Sequence, residues 1–122
     1  MKYMLTLIGP EGGWEDATPE DMKAELGRWQ AYGQELVDAG AFVAGEGLQE
    51  SATATTVRIA DDGERLVTDG PFAETKEQLG GLYVLDCADL DEAIAWAAKI
   101  PSARDGAIEI RPIWDYRTAM GV

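Results

Sequence analysis

The sequence predicts an α+β protein, a ferredoxin-like sheet with two helices on one face and an inserted β-hairpin. Three observations carry that expectation. Apolar runs and helical stripes follow the order strand, helix, strand, hairpin, strand, helix, strand, and two right-handed strand–helix–strand crossovers in about this length make such a sheet. Two segments, Tyr3–Ile8 and Leu82–Asp86, are apolar on both faces, as the two central strands of that topology are. A single layer of helices covers only one face, so the other needs a cover; a symmetric homodimer is the simplest source of one. At 122 residues the chain suits one domain, residues 1–122, around one core.

Taken in order, Tyr3, Leu5 and Leu7 alternate with Met4 and Ile8 in the first strand. Gly9-Pro10-Glu11-Gly12-Gly13 ends it. This glycine-rich loop has no Lys and lacks phosphate-loop spacing, so it reads as a plain connector. Thr18 is placed to cap a helix, with Pro19 at its first position and Asp21 in an acidic first turn. Met22, Leu26, Trp29, Gly33, Leu36 and Val37 recur at helical spacing as a core stripe, Gly33 suggests close approach to the sheet, and Gly40 stops the helix. Phe42–Leu48 reads as a short strand. Thr55–Ala60 and Arg65–Thr68 flank the turn sequence Asp61-Asp62-Gly63-Glu64 as a hairpin. An irregular connection then leads through Gly80-Gly81 into Leu82–Asp86. Asp89 with Glu92 three residues on starts a second helix, whose apolar face is Leu90, Ala93, Ile94 and Ala97 and which Pro101 ends. Ile108–Trp114 is the last strand.

Composition excludes several classes. Acids outnumber bases 23 to 10, a net charge of −13, and such a field repels phosphate backbones and acidic membrane surfaces. Nucleic acid and membrane are therefore not expected partners. Cys87 is the only cysteine, so no intrachain disulfide forms and a reducing compartment fits. Met1–Ile8 is too short for a secretory signal, and the expected localisation is cytoplasmic. The chain has no histidine, which removes the usual proton shuttle and the commonest metal ligand. No metal site and no cofactor are expected.

The stretch from Asp69 to Gly81 concentrates polar chemistry before an apolar strand. Asp69-Gly70-Pro71-Phe72, followed by Glu74, Lys76-Glu77 and Gly80-Gly81, resembles the signature of the DGPF proteins of the YCII-related family. That resemblance implies the dimeric α+β barrel fold, with two sheets facing each other across a homodimer. Part of the wider family carries a His-Asp pair proposed to be catalytic; with no His here, that pair does not carry over. Proteins similar to this one are often encoded beside, or fused to, extracytoplasmic-function sigma factors, which implies a sigma-factor link.

Arg58, Glu109 and Arg111 point away from the apolar faces of their strands, toward the open side of the sheet. If they meet Asp69, Glu74, Lys76 and Glu77, a polar pocket results at the end of the sheet. Its two guanidinium forks would suit a small anionic or polar ligand, and Asp69 is the candidate catalytic carboxylate if its surroundings raise it into the working range. The plainer alternative is that Asp-Gly-Pro is a turn whose Asp accepts a backbone N–H and that the strand charges pair on a solvated face. Cys87, flanked by Asp86 and Asp89, reads as a buried small hydrophobe. Three readings stay open: a dimeric small-molecule-binding protein or enzyme, a regulatory interaction module, and a structural dimer without activity.

Overall fold

The computed structural model describes residues 1–122. Its elements are β1 (Lys2–Gly9), α1 (Pro19–Asp38), β2 (Phe42–Gly47), a 3-10 turn (Ser51–Thr53), β3 (Thr55–Ile59), β4 (Arg65–Asp69), β5 (Gln78–Asp86), α2 (Leu90–Ala98), β6 (Ala107–Pro112) and α3 (Tyr116–Met120). Four strands form one sheet in the order β2-β5-β1-β6, each neighbouring pair antiparallel. This is the ferredoxin-like topology, with the two strands that are apolar on both faces at its centre. β3 and β4 form a sheet of their own.

Alternation along β1 sets the layers. Tyr3, Leu5 and Leu7 are buried with Tyr32 and Leu36 of α1, Leu85 of β5, and Ala93 and Ala97 of α2, so both helices cover the same face. Met4, Thr6 and Ile8 face the other way, opposite Val84 and Leu82 of β5 and Arg111, Glu109 and Ala107 of β6. Leu5, Leu36 and Leu85 are the largest fully buried side chains, each contributing about 1.5–3 kcal/mol of transfer free energy. Tyr32 joins three elements. Its hydroxyl donates to Trp96 O at 2.9 Å, and its ring meets Tyr83 and Trp96 edge-on at 5.4 and 6.1 Å. Burial pushes its hydroxyl pKa well above the usual tyrosine value.

The helix ends follow the sequence. Thr18 Oγ1 accepts from Asp21 N at 3.1 Å, and Asp21 Oδ2 accepts from Thr18 N at 3.0 Å, a reciprocal capping box. Gly40, at φ 71°, closes α1 in the left-handed region. Asp89 caps α2 through Glu92 N at 2.9 Å, whereas Glu92 itself accepts from Ala88 N at 2.6 Å instead of Asp89 N.

Several expected boundaries and faces differ. β5 begins at Gln78, so Gly80 and Gly81 lie inside the strand and not in a connection. Gln78 pairs with Gly9 and Leu79 with Ile8, and a register shift between Leu7 and Ile8 leaves Gly80 as the extra residue of a bulge. A Cβ on Gly81 would lie 2.8 Å from Glu46 O, so only glycine lets β2 pair this closely. β2 stops at Gly47, although Leu48 N still donates to Gly80 O at 2.9 Å. β6 stops at Pro112, after which Asp115 caps α3, a helix with no clear sequence signal. On α1, Met22, Leu26 and Val37 are exposed, and the core-facing stripe is Tyr32 and Leu36, with Trp29 half-buried beside them. Gly33 does not mark a close approach, since nothing lies within 4 Å of where its Cβ would be. On α2, Leu90 and Ile94 face outward, because the small Ala93 and Ala97 are the side chains that let the helix sit on the sheet.

Candidate functional site

The Asp69 segment closes the open end of the β3–β4 hairpin. Asp69 is the last residue of β4 and pairs with Thr55. Gly70, at φ 97°, adopts a backbone that other residues rarely tolerate. Its N–H donates to Ala54 O at 2.7 Å, and its carbonyl accepts from Thr56 Oγ1 at 2.8 Å. Two residues on, the Phe72 ring lies under the Arg58 guanidinium at 4.7 Å, a cation–π contact. The segment then reaches the main sheet through Gln78, whose Nε2 donates to Ala73 O at 3.3 Å and Thr75 O at 3.2 Å.

The seven residues singled out in the sequence are not gathered into one pocket. Arg58 and Asp69 belong to the hairpin sheet, while Glu109 and Arg111 sit on β6 at the edge of the main sheet. Glu109 and Arg111 do face the open side, opposite Thr6 and Met4, and they pair with each other (Arg111 Nε to Glu109 Oε1, 2.7 Å). Glu74, Lys76 and Glu77 are exposed and make no ion pair within the chain. None of the seven lines the clefts described next.

The main cleft lies at the C-terminal end of β1. Its volume is about 730 Å³, and its walls come from four distant parts of the chain: Leu7–Trp14, the Met22, Glu25 and Trp29 positions of α1, Gln78 and Gly80 of β5, and Ser102, Asp105 and Gly106 before β6. That volume is in the range of small-molecule sites. The glycine-rich loop is therefore a wall, not a plain connector. It is also tied down, since Glu11 accepts from Ser51 N at 2.6 Å and from Ser51 Oγ at 2.7 Å. At the floor, Gly106 lets the chain cross the end of β1, where a Cβ would stand 2.1 Å from Ile8 O.

Trp29 lines this cleft and also a neighbouring one of about 400 Å³ between α1 and β2–β5, which has Gly33, Gly45, Gly47 and Gly81 in its walls. Leu7 and Gly80 line both as well, so the Trp29 indole stands where the two clefts adjoin. Glu25 holds it, accepting from Trp29 Nε1 at 2.8 Å, and Arg28 Nε in turn donates to Glu25 at 3.1 Å. The Arg28 guanidinium holds the Glu25 carboxyl below its usual value of 4.5; partial burial opposes this and the Trp29 N–H adds to it. Glu25 is thus an anion at neutral pH, able to orient or accept but not to deliver a proton. No three His, Cys, Asp or Glu side chains stand close enough to share a metal ion.

These wall residues escaped the sequence reading because no local motif contains them. The usable signals were Trp14, a large aromatic beside two glycines, and the Asp105-Gly106 turn.

A ferredoxin-like sheet covered by helices on one face, open on the other and cleft at the end of its first strand, defines a class of small α+β domains. Within it, the chain belongs to the YCII-related domain family, which it matches over residues 1–117. It is 39% identical over 106 residues to Uncharacterized protein R00369 of Rhizobium meliloti (strain 1021), a match spanning 85% of this chain and 82% of that protein. Among solved structures it is similar to 5-chloro-2-hydroxyhydroquinone dehydrochlorinase (TftG) from Burkholderia phenoliruptrix AC1100 in complex with 2,5-dihydroxybenzoquinone. That similarity has 14% identity and a TM-score of 0.48, over 93% of this chain and 94% of that one. No helix is long and apolar enough to cross a membrane.

Proposed function

We propose that this YCII-related protein is a homodimeric, cytoplasmic small-molecule-binding protein whose ligand site is the cleft at the end of β1. The observation that carries the proposal is the cleft itself: about 730 Å³, bounded by Trp14 and Trp29, with Glu11, Glu25, Gln78, Ser102 and Asp105 as polar groups in its wall. A concave site with aromatic walls and a few polar groups is the usual form of a small-molecule site. The Asp69 segment reaches its rim through Gln78 and organises the entry to β5. A thermal-shift screen of small polar compounds tests this reading, because a ligand at one hundred times its Kd stabilises by about 2.7 kcal/mol. Gly80→Phe adds a ring beside both clefts, and a Cβ there meets nothing nearer than Leu7 O at 3.8 Å. Hits should lose their effect in Gly80→Phe and keep it in Asp69→Asn. The opposite pattern would move the site to the Asp69 segment.

The dimer rests on the face away from the helices. Met4 and Ile8 of β1 and Leu82 and Val84 of β5 form a half-buried apolar centre there, flanked by Glu46 on β2 and by Glu109 and Arg111 on β6. An apolar centre with a charged rim is the pattern of a protein interface, and a two-fold axis would place the same patch on both copies. Light scattering should give twice the 13.2 kDa chain mass; a monomer at micromolar concentration contradicts the facing sheets.

A second reading, a regulatory module with a sigma-factor partner, draws on the hairpin. Val57, Ile59 and Val67 are exposed on one of its faces, and a two-stranded hairpin is at best marginal without a cover. Val67→Glu should then leave the dimer intact and abolish association with a purified extracytoplasmic-function sigma factor. Loss of the dimer instead would assign the hairpin to the homodimer interface.

A further inference from the structure

We infer that the ligand of the β1 cleft is an organic cation with a planar or apolar body, an assignment that rests on the cleft being the binding site. Glu11, Glu25 and Asp105 lie in the wall, and not one Lys or Arg does. None of the chain's ten cations lines it, and the nearest, Arg28, is turned to Glu25. Each carboxylate has its own situation. Glu11 is committed to Ser51. Glu25 is paired with Arg28, which approaches from the adjoining surface cleft beside Asp16 and Asp21. Asp105 makes no side-chain hydrogen bond or ion pair within the chain and remains available to a ligand ammonium.

The walls fit the same occupant. Trp29 donates its N–H to an ionised carboxylate, and that polarisation leaves the indole faces more electron-rich. A cation set against such a face gains a cation–π contact, and Trp14 supplies a second indole. An anion in this cleft would meet the unpaired Asp105 and the Ser51-bound Glu11, while the one guanidinium beside it, Arg28, is already taken up by Glu25, all within a chain of net charge −13. The three carboxylates form no cluster that could hold a metal ion, which favours an extended organic cation over a bare divalent one. This ligand is opposite in charge to the one that Arg58 and Arg111 suggest from the sequence, because neither arginine reaches the cleft.

Three probes of one shape test the charge: 2-phenylethylamine, 2-phenylethanol and phenylacetate, titrated into the full chain at low salt while the tryptophan indole N–H resonances are followed. The amine should shift Trp14 and Trp29 and bind about tenfold more tightly than phenylacetate, because the exposed Asp105 attracts the one and repels the other. Raising the salt should narrow that preference, and Asp105→Asn should reduce it by about threefold or more. Equal or tighter binding of phenylacetate at the same two indoles would overturn the cation and leave the cleft as the site. Absence of amine binding up to about 10 mM, the range of a fragment this small in a fitting site, would overturn it as well. If all three probes spare Trp14 and Trp29 and shift residues elsewhere, the cleft reading falls with it.

Discussion

β1 and the β3–β4 hairpin are both built from alternating strands, yet they end in opposite states. In β1 every second side chain from Tyr3 to Leu7 is buried under α1 and α2. In the hairpin no residue is buried, and Val67 stays 56% exposed although it pairs directly with Val57. Pairing strands is not enough to bury them; a helix layer or another sheet must lie on top. The difference also separates what is distinctive in the sequence from what is concave in the structure. The Asp69-Gly70-Pro71-Phe72 segment serves the exposed hairpin. The cleft forms where the buried strand runs out beneath the overhanging first turns of α1.

The sharpest test of that contrast is a pair of truncations. Leu36→Ala removes a fully buried side chain and should cost about 2–5 kcal/mol in urea unfolding. Val67→Ala on the hairpin should stay within about 0.5 kcal/mol. A hairpin loss as large as the core loss, and dependent on protein concentration, would mean that a second copy covers it.

Two glycines should respond in opposite directions. Gly106→Ala puts a methyl into the Ile8 backbone at the cleft floor, and overpacking against backbone costs about 1–3 kcal/mol or more. Gly33→Ala meets open space inside a helix and should raise stability by about 1 kcal/mol. Matching losses at both would mean that α1 leaves no open space beside Gly33.

The smallest effect concerns acid. Glu25 has its carboxyl lowered by Arg28 below the usual 4.5, so its contribution is complete above that value and is lost as pH falls through the lowered one. Asp21 and Asp115 are lowered in the same direction by hydrogen bonds from Thr18 and Thr118. Fewer negative charges at low pH also relieve self-repulsion, so the informative quantity is the difference between variant and parent. Melting temperature of Glu25→Gln should fall less steeply than the parent's below about pH 4.5. Parallel curves would deny Glu25 its ion pair.

The topology was legible because it follows from local alternation and caps. Tyr3–Leu7, the Thr18 cap and the Asp61–Glu64 turn each declare themselves within a few residues. The helix faces were less so: counting aliphatic spacing favoured Met22, Leu26 and Val37, whereas the polar-tipped Tyr32 is the true centre of the α1 contact. The cleft was not legible at all, since Glu11, Glu25, Gln78 and Asp105 are brought together only by the sheet order and by a bulge at Gly80 that no spacing rule announces.

The central claim, that ligands enter the β1 cleft and not the Asp69 segment, is tested most directly by the four indole N–H signals of the protein. Trp14 and Trp29 line the cleft, while Trp96 packs on Tyr32 and Trp114 on Tyr116. On titration of a ligand found by thermal shift, Trp14 and Trp29 should move together with the Gly12 and Gly106 amides, and Trp96 and Trp114 should stay in place. Asp69→Asn should leave that pattern and its midpoint unchanged. Shifts confined to residues 69–77, with Trp14 and Trp29 silent, would contradict the account.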